Sequence, residues 1–162
     1  MRLGQVVNFT QDVELPFTLK NFWACETNFV WSTRKWCELL FDFEGKLPDG
    51  SGELSLDLDA FKAGDEFGGQ TVFSYLNGLR IGSNYIDRRK TILIPLEFRL
   101  LKISGNMLVF DTPDACAPSE FGSPDRRQLG IQLFSLCIRQ VRLSDEAPGP
   151  KPKEAAGKEA RV

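Results

Sequence analysis

The sequence predicts an all-β protein: a two-sheet antiparallel β-sandwich of jelly-roll-like form with a flexible C-terminal tail. Three observations carry this. Apolar and polar residues alternate with period two over most of the chain. Turn chemistry interrupts the alternation at spacings of about ten residues. No helical period of useful length appears.

The elements follow in order. In "CELLFDFE", Cys37, Leu39, Phe41 and Phe43 share one face, with Glu38, Asp42 and Glu44 opposite. In "ELSLDLDAF", Leu54, Leu56, Leu58 and Ala60 alternate with Glu53, Ser55, Asp57 and Asp59, the pattern of a strand with one face on a core and the other in water. "KLPDGSG" between them is a turn cluster. Asn77-Gly78, between two strand-like runs, predicts a type I′ hairpin because both residues tolerate positive φ. Pro95 in "KTILIPLEF" marks a strand end or a sheet edge. "LLKISGNMLVFDT" predicts a second hairpin turning at Gly105-Asn106. In "LGIQLFSLCIRQVRL" the apolar parity changes between Leu133 and Phe134, as a bulge or a strand covered on both faces would produce. "GDEFGG" (Gly64–Gly69) is glycine-rich without the Lys-Ser/Thr of a phosphate loop, and reads as a flexible turn. Residues 1–143 form the sandwich. Residues 144–162, dense in Pro, Ala, Lys and Glu and without aromatics, form the flexible tail.

Composition narrows the function. Of 162 residues, 42% are hydrophobic, enough for a core without disulfide staples. The formal charge of −2, with both signs interspersed, argues against a general nucleic-acid binder. The chain has no histidine, which removes Ser-His-Asp and Cys-His catalysis and histidine-ligated metal sites. Cys25, Cys37, Cys116 and Cys137 form no C-x-x-C pair and read as thiols acting as small hydrophobes rather than as a metal site. Without an apolar leader or a membrane-length run, the protein is expected to be cytoplasmic and not inserted in a membrane. The acids offer no carboxylate pair at a glycosidase-like spacing, and no enzyme activity is expected.

Two stretches carry candidate binding chemistry. In "NFVWSTRKWCE", Trp31 and Trp36 flank Arg34 and Lys35, with Trp23 upstream. Their large area places at least two of the three tryptophans in the core. If the segment is extended, Trp31 and Trp36 have opposite parity and at most one faces solvent, where it would stack on the C–H face of a sugar ring. In "PDACAPSEFGSPDRRQLGIQL", a long loop leads into the last strand. There Arg126 and Arg127 are donors for carboxylates, phosphates or sugar hydroxyls. Asp114 and Arg127 are candidates for an ion pair tying the loop to the sandwich, and Asp125 for capping the start of the strand.

Several segments together resemble the β-sandwich accessory domains found beside, or fused to, bacterial glycosyltransferases and other glycan-assembly membrane enzymes. "NFWACETNFVWS" fits that family's upstream pattern at Phe22, Glu26, Trp31 and Ser32, with Asn21 where glycine is usual. Leu54–Ala60 and Val72–Gly78 resemble its "L-x-L-x-L-x-A" strand and "V-x-V-x-x-N-G" hairpin, with Ser74 for the second valine. The closing pattern is the most specific. Pro113, Asp114, Ala115, Pro118, Gly122, Asp125, Arg127, Leu129, Gly130 and Ile131 match it, while Ala117 replaces a serine and Phe121 a leucine. The similarity covers about Gln5 to Leu143 in order. It implies a sandwich resembling carbohydrate-binding modules, either free-standing or working in trans.

The expected function is therefore a non-catalytic glycan-binding or glycosyltransferase-accessory module. Its candidate ligand-binding residues are Trp31, Trp36, Asp114, Arg126 and Arg127. Its expected partner is a glycan or a polysaccharide-synthesis enzyme, not nucleic acid. No cofactor is called for; Asp111 and Asp114 are oxygen ligands of the kind calcium takes, but no loop pattern demands the ion. A protein-interaction adaptor on the same sandwich is the alternative.

Overall fold

A computed structural model describes residues 1–63 and 68–141. The tail assigned to 144–162, and most of the "GDEFGG" turn, lie outside the described residues.

Among the described residues, ten strands form two antiparallel sheets. They are β1 (Val7–Asn8), β2 (Thr18–Lys20), β3 (Val30–Trp31), β4 (Trp36–Phe41), β5 (Ser51–Ala60), β6 (Gln70–Leu76), β7 (Leu79–Ile86), β8 (Lys90–Glu97), β9 (Asn106–Asp111) and β10 (Ile131–Gln140). One sheet runs β1-β10-β5-β8, with β3 also paired to β10. The other runs β2-β4-β9-β6-β7. Short 3₁₀ turns cover Phe98–Leu100 and Pro118–Phe121.

The alternation seen in the sequence places the core between the sheets. Leu54, Leu56, Leu58 and Ala60 of β5 are buried, as are Cys37, Leu39 and Phe41 of β4 and Phe43 just beyond it. Phe9, Phe17, Phe41 and Phe43 stack in sequence at one end, each ring 5.5–5.7 Å from the next. Burying a side chain of this size contributes about 1.5–3 kcal/mol.

The parity change in the last strand is a bulge. Leu133 pairs with Leu58 and Ser135 with Asp57, so Phe134 is the extra residue. Its carbonyl accepts the Phe9 amide at 2.9 Å. This lets β3 and β1 share the far edge of β10 end to end, β3 opposite Gln132–Leu133 and β1 opposite Ser135–Leu136. Pro95 lies in β8, the edge strand of its sheet, where its missing N–H costs no ladder bond. Asn77 and Gly78 have φ of 50° and 85°, as a type I′ hairpin requires.

The hairpin expected at Gly105-Asn106 does not form. β9 pairs instead with β4 and β6, and the segment before it is a 3₁₀ turn and a loop. The buried Asn106 side chain is the reason. Its Oδ1 accepts the Lys102 amide at 2.8 Å and an Asn77 Nδ2–H at 3.2 Å, and its Nδ2 donates to the Lys102 carbonyl at 2.6 Å. Asn77 Nδ2 donates in turn to the Leu100 carbonyl at 2.8 Å, and Asn77 Oδ1 accepts the Met107 amide at 2.9 Å. The two asparagines thus satisfy a loop that no second strand pairs. Asn106→Ala is expected to cost about 2–3 kcal/mol by leaving these groups unpaired. Urea denaturation checks it, and a loss below about 0.5 kcal/mol would show the hub to be dispensable.

A candidate binding surface at one end of the sandwich

One end of the molecule is held by a buried polar junction. Ser32 Oγ accepts the Gly130 amide at 3.2 Å and the Ile131 amide at 2.9 Å. The Lys35 carbonyl accepts both the amide and the hydroxyl of Thr112, at 2.5 and 2.9 Å. Gly130 fits between them. A Cβ there would lie 2.5 Å from Thr112 Oγ1 and 2.9 Å from Ser32 Oγ. The chain between Ser32 and Lys35 crosses from one sheet to the other, because β3 pairs with β10 and β4 with β9.

That crossover corrects the tryptophan expectation. Trp31 and Trp36 belong to different sheets, so their relative parity along one strand does not decide their exposure. Trp36 heads β4 and is 48% exposed, Trp23 is 53% exposed, and Trp31 is half-buried between Phe29 and Phe61. None of the three enters the central core. Phenylalanine and leucine fill it, with Phe9, Phe110, Leu39 of β4, the leucines of β5 and Leu108 of β9 fully buried.

Trp23 and Trp36 are brought to the same end through Asn21. The Asn21 Nδ2 donates to the Trp36 carbonyl at 3.1 Å, its own carbonyl accepts the Thr33 amide at 2.8 Å, and the Trp23 amide donates to the Trp31 carbonyl at 2.9 Å. Asn21 has φ of 59°, the left-handed region. Glycine and asparagine are the residues that adopt it most readily, which gives a physical reason for either at this position. The Ala117 substitution has a similar local meaning. Ala117 is the N-cap of the Pro118–Phe121 turn and makes no side-chain cap, where a serine hydroxyl would supply one. The Glu120 carboxylate instead accepts the Ala117 amide at 2.8 Å.

The long loop is tied down by different partners from those expected. Arg127 pairs with Asp125, not Asp114, because a side chain two residues away meets it within the turn. Arg127 Nη2 lies 2.7 Å from Asp125 Oδ2, Nε lies 3.1 Å from both carboxylate oxygens, and the Arg127 amide donates to Oδ1 at 2.9 Å. Asp114 Oδ2 accepts the Thr71 amide at 3.3 Å at the start of β6. The Cys116–Leu129 bridge and the Ser119 amide on the Asp125 carbonyl, 2.7 Å, close the rest. The Arg127 guanidinium also sits 5.0 Å from the Trp23 ring centroid, within cation–π range. Arg126 is exposed.

The solvent face of the β2–β7 sheet continues this surface. Trp36, Asp111 and Phe73 lie side by side on β4, β9 and β6, and Arg80 stacks 4.5 Å from the Phe73 centroid. Trp36, Asp114, Arg126 and Arg127 are therefore gathered at one end, whereas Trp31 lies on the outer face of the other sheet. Trp23, Arg34, Lys35 and Phe73 join the surface without having been singled out as binding residues. The crossover places Arg34 and Lys35 there, the Trp31 carbonyl holds Trp23, and the β6–β9 pairing supplies Phe73, all of them non-local features.

Burial pushes all four thiols above their ordinary pKa, Cys37 furthest, so they are protonated at neutral pH. Among the described residues no three potential metal-ligating side chains come together. Among them, too, no helix is long and apolar enough to cross a membrane.

No family model matches the chain, and no curated protein matches it in sequence. Several solved structures are similar to it. An uncharacterized protein from Listeria monocytogenes EGD-e aligns at 18% identity over 76% of this chain and 11% of its own, with a TM-score of 0.45. The cycloalternan-forming enzyme from Listeria monocytogenes, in complex with a pentasaccharide substrate, aligns at 17% over 76% and 11%, with a TM-score of 0.46. The CBM36-1 domain of a multidomain xylanase, from the hindgut metagenome of Trinervitermes trinervoides, aligns at 11% over 86% and 98%, with a TM-score of 0.44. The chain thus spans about a tenth of the two Listeria chains and nearly all of the xylanase domain. No residue role passes from these structures to this chain.

Two outcomes follow from the junction and the loop. Gly130→Ala is expected to destabilise by about 1–3 kcal/mol through overpacking against Thr112 and Ser32, measured by chemical denaturation. A neutral result would mean that the junction yields freely. Arg127→Ala is expected to lower Tm by roughly 2–5 °C and Arg126→Ala by less, since of the two only Arg127 has a partner among the described residues. Arg127 holds the Asp125 carboxyl below its usual value. A depressed folded-state pKa stabilises above the unfolded value, about 4, and that contribution is lost as pH falls through the folded value. The Arg127→Ala deficit should therefore be full at pH 7 and shrink below about pH 4. Equal melting temperatures for the two arginine variants would count against this role.

Proposed function

We propose that this protein is a non-catalytic glycan-binding β-sandwich module whose ligand lies along the Trp36 end of the β2–β7 sheet. The observation that carries the proposal is the exposed Trp36 ring beside the Asp111 carboxylate, on a face that Phe73 extends. An indole face takes the apolar side of a pyranose ring. A carboxylate without a protein partner accepts its hydroxyls, and Asp111 has no side-chain hydrogen bond or ion pair among the described residues. Strands fix both groups, so little ordering is needed on binding. Water competes for each hydroxyl, so weak affinity is expected for so shallow a polar surface.

The resemblance over Gln5–Leu143 supports a finer reading, in which the module serves a glycosyltransferase or another glycan-assembly enzyme. A protein-adaptor role is the second reading, supported by β7. Its eight residues form the outer strand of their sheet without a proline, a template for another chain's strand.

Tryptophan fluorescence, confirmed by calorimetry, titrated with a panel of neutral and acidic oligosaccharides tests the glycan reading. A saturable response that falls at least about tenfold in Trp36→Ala, with the fold intact by circular dichroism, is expected. A flat response across the panel in both methods would overturn it and leave the adaptor reading.

A further inference from the structure

We infer that the glycan recognised here is acidic, with carboxylates borne on the sugar rings themselves. The inference rests on the glycan-binding reading and adds the chemical class of the ligand.

It starts from an imbalance in how the charges at this end are used. The acids are largely engaged. Asp125 is held by Arg127, Glu120 by the Ala117 amide, Asp114 by the Thr71 amide, and Glu38 lies 3.0 Å from Lys20 Nζ. Three exposed cations are not: Arg34, Lys35 and Arg126 have no ion pair or side-chain hydrogen bond among the described residues. Elsewhere in the sandwich Arg2 pairs with Glu44, Arg89 with Asp57 and Lys90 with Asp87, while Lys46, Arg88 and Lys102 also have no ion pair or side-chain hydrogen bond among the described residues, so it is the place of Arg34, Lys35 and Arg126 that distinguishes them.

Position gives these three their meaning. Arg34 and Lys35 immediately precede Trp36, and the Lys35 carbonyl is anchored to Thr112. Arg126 immediately precedes Arg127, whose guanidinium covers the Trp23 ring. Each exposed indole therefore has unneutralised cations within one or two residues of it or of the side chain that stacks on it. The bond from Asn21 Nδ2 to the Trp36 carbonyl, and those from the Gly130 and Ile131 amides to Ser32 Oγ, join the two segments at one end. Rings that stack on an indole and carry their charge at the ring edge suit this arrangement. The indole takes the ring face while a guanidinium or ammonium takes the carboxylate. A polymer whose charge lies on phosphates between the rings would separate the two contacts. Asp111 and Glu26 are the carboxylates at this end not engaged by a hydrogen bond or ion pair among the described residues. Asp111 lies on the sheet side of Trp36, where a ring hydroxyl would meet it. Glu26 lies near Arg127, whose guanidinium is held above its ordinary pKa first by the hydrogen bond to Asp125 and in smaller part by Glu26.

Calorimetry on the full chain tests this with oligogalacturonate, oligomannuronate and hyaluronan fragments. Each is paired with its carboxyl-reduced counterpart, beside poly(glycerol phosphate) and vesicles of phosphatidylglycerol. At least one uronate is expected to bind roughly tenfold more tightly than its reduced form, with affinity falling as salt rises. In Arg34→Ser/Lys35→Ser/Arg126→Ser, with Tm near that of the wild type, that uronate should bind no better than its reduced form does to the wild type. Equal binding of uronates and reduced forms would overturn the acidic assignment and leave glycan binding standing. Preference for the phosphate polymer or the vesicles over every uronate would overturn it in favour of those anions. No binding to any saccharide would overturn this inference and the glycan reading together.

Discussion

The junction of Ser32, Lys35, Thr112 and Gly130 is the constraint on which this end of the molecule depends. Four short hydrogen bonds and one absent side chain join the crossover between the sheets, the end of β9 and the start of β10. Ser32 and Thr112 are fully buried, and the two bonds to Ser32 are made away from water, where an unmade one would be costly. A Cβ at Gly130 would push the loop away from both. The orientation of Trp36 follows, since it is the residue after Lys35.

The alternating strands were legible because period-two burial is local. β5 could be read residue by residue, and the parity break in β10 pointed to the bulge later found at Phe134. Asn77-Gly78 was legible for the same reason: positive φ is a property of two adjacent residues. What stayed hidden depended on distant partners. Gly105-Asn106 resembles a hairpin turn, but Asn106 is committed to Asn77 and Lys102. Arg127 was expected to pair with Asp114, and only the folded turn selects Asp125 in its place. The tryptophans were misjudged because burial was assigned from side-chain size, whereas the interior was already filled by phenylalanine and leucine.

The most specific stretch of sequence turns out to be mainly architectural. Asp125 and Arg127 lock the loop, Gly130 fits the junction and Leu129 bridges to Cys116. Backbone geometry and buried hydrogen bonds restrict residue choice tightly, so such positions make a recognisable pattern without touching a ligand. The surface residues proposed to bind face weaker local demands. Trp36, Arg34 and Lys35 satisfy no fold requirement that a smaller polar residue would fail to meet.

That difference bears on where function can reside. An exposed indole costs folding free energy, since its apolar area stays in water, and two of them at one end form a feature that the core does not explain. The same holds for Arg34, Lys35 and Arg126, which have no ion pair among the described residues and stand beside those indoles or the side chain that covers one. The junction keeps both sets of groups at fixed spacing. A ligand that meets them then loses its own freedom but asks little reordering of the protein, which is the condition under which weak, repeated contacts to a polymer sum to useful affinity.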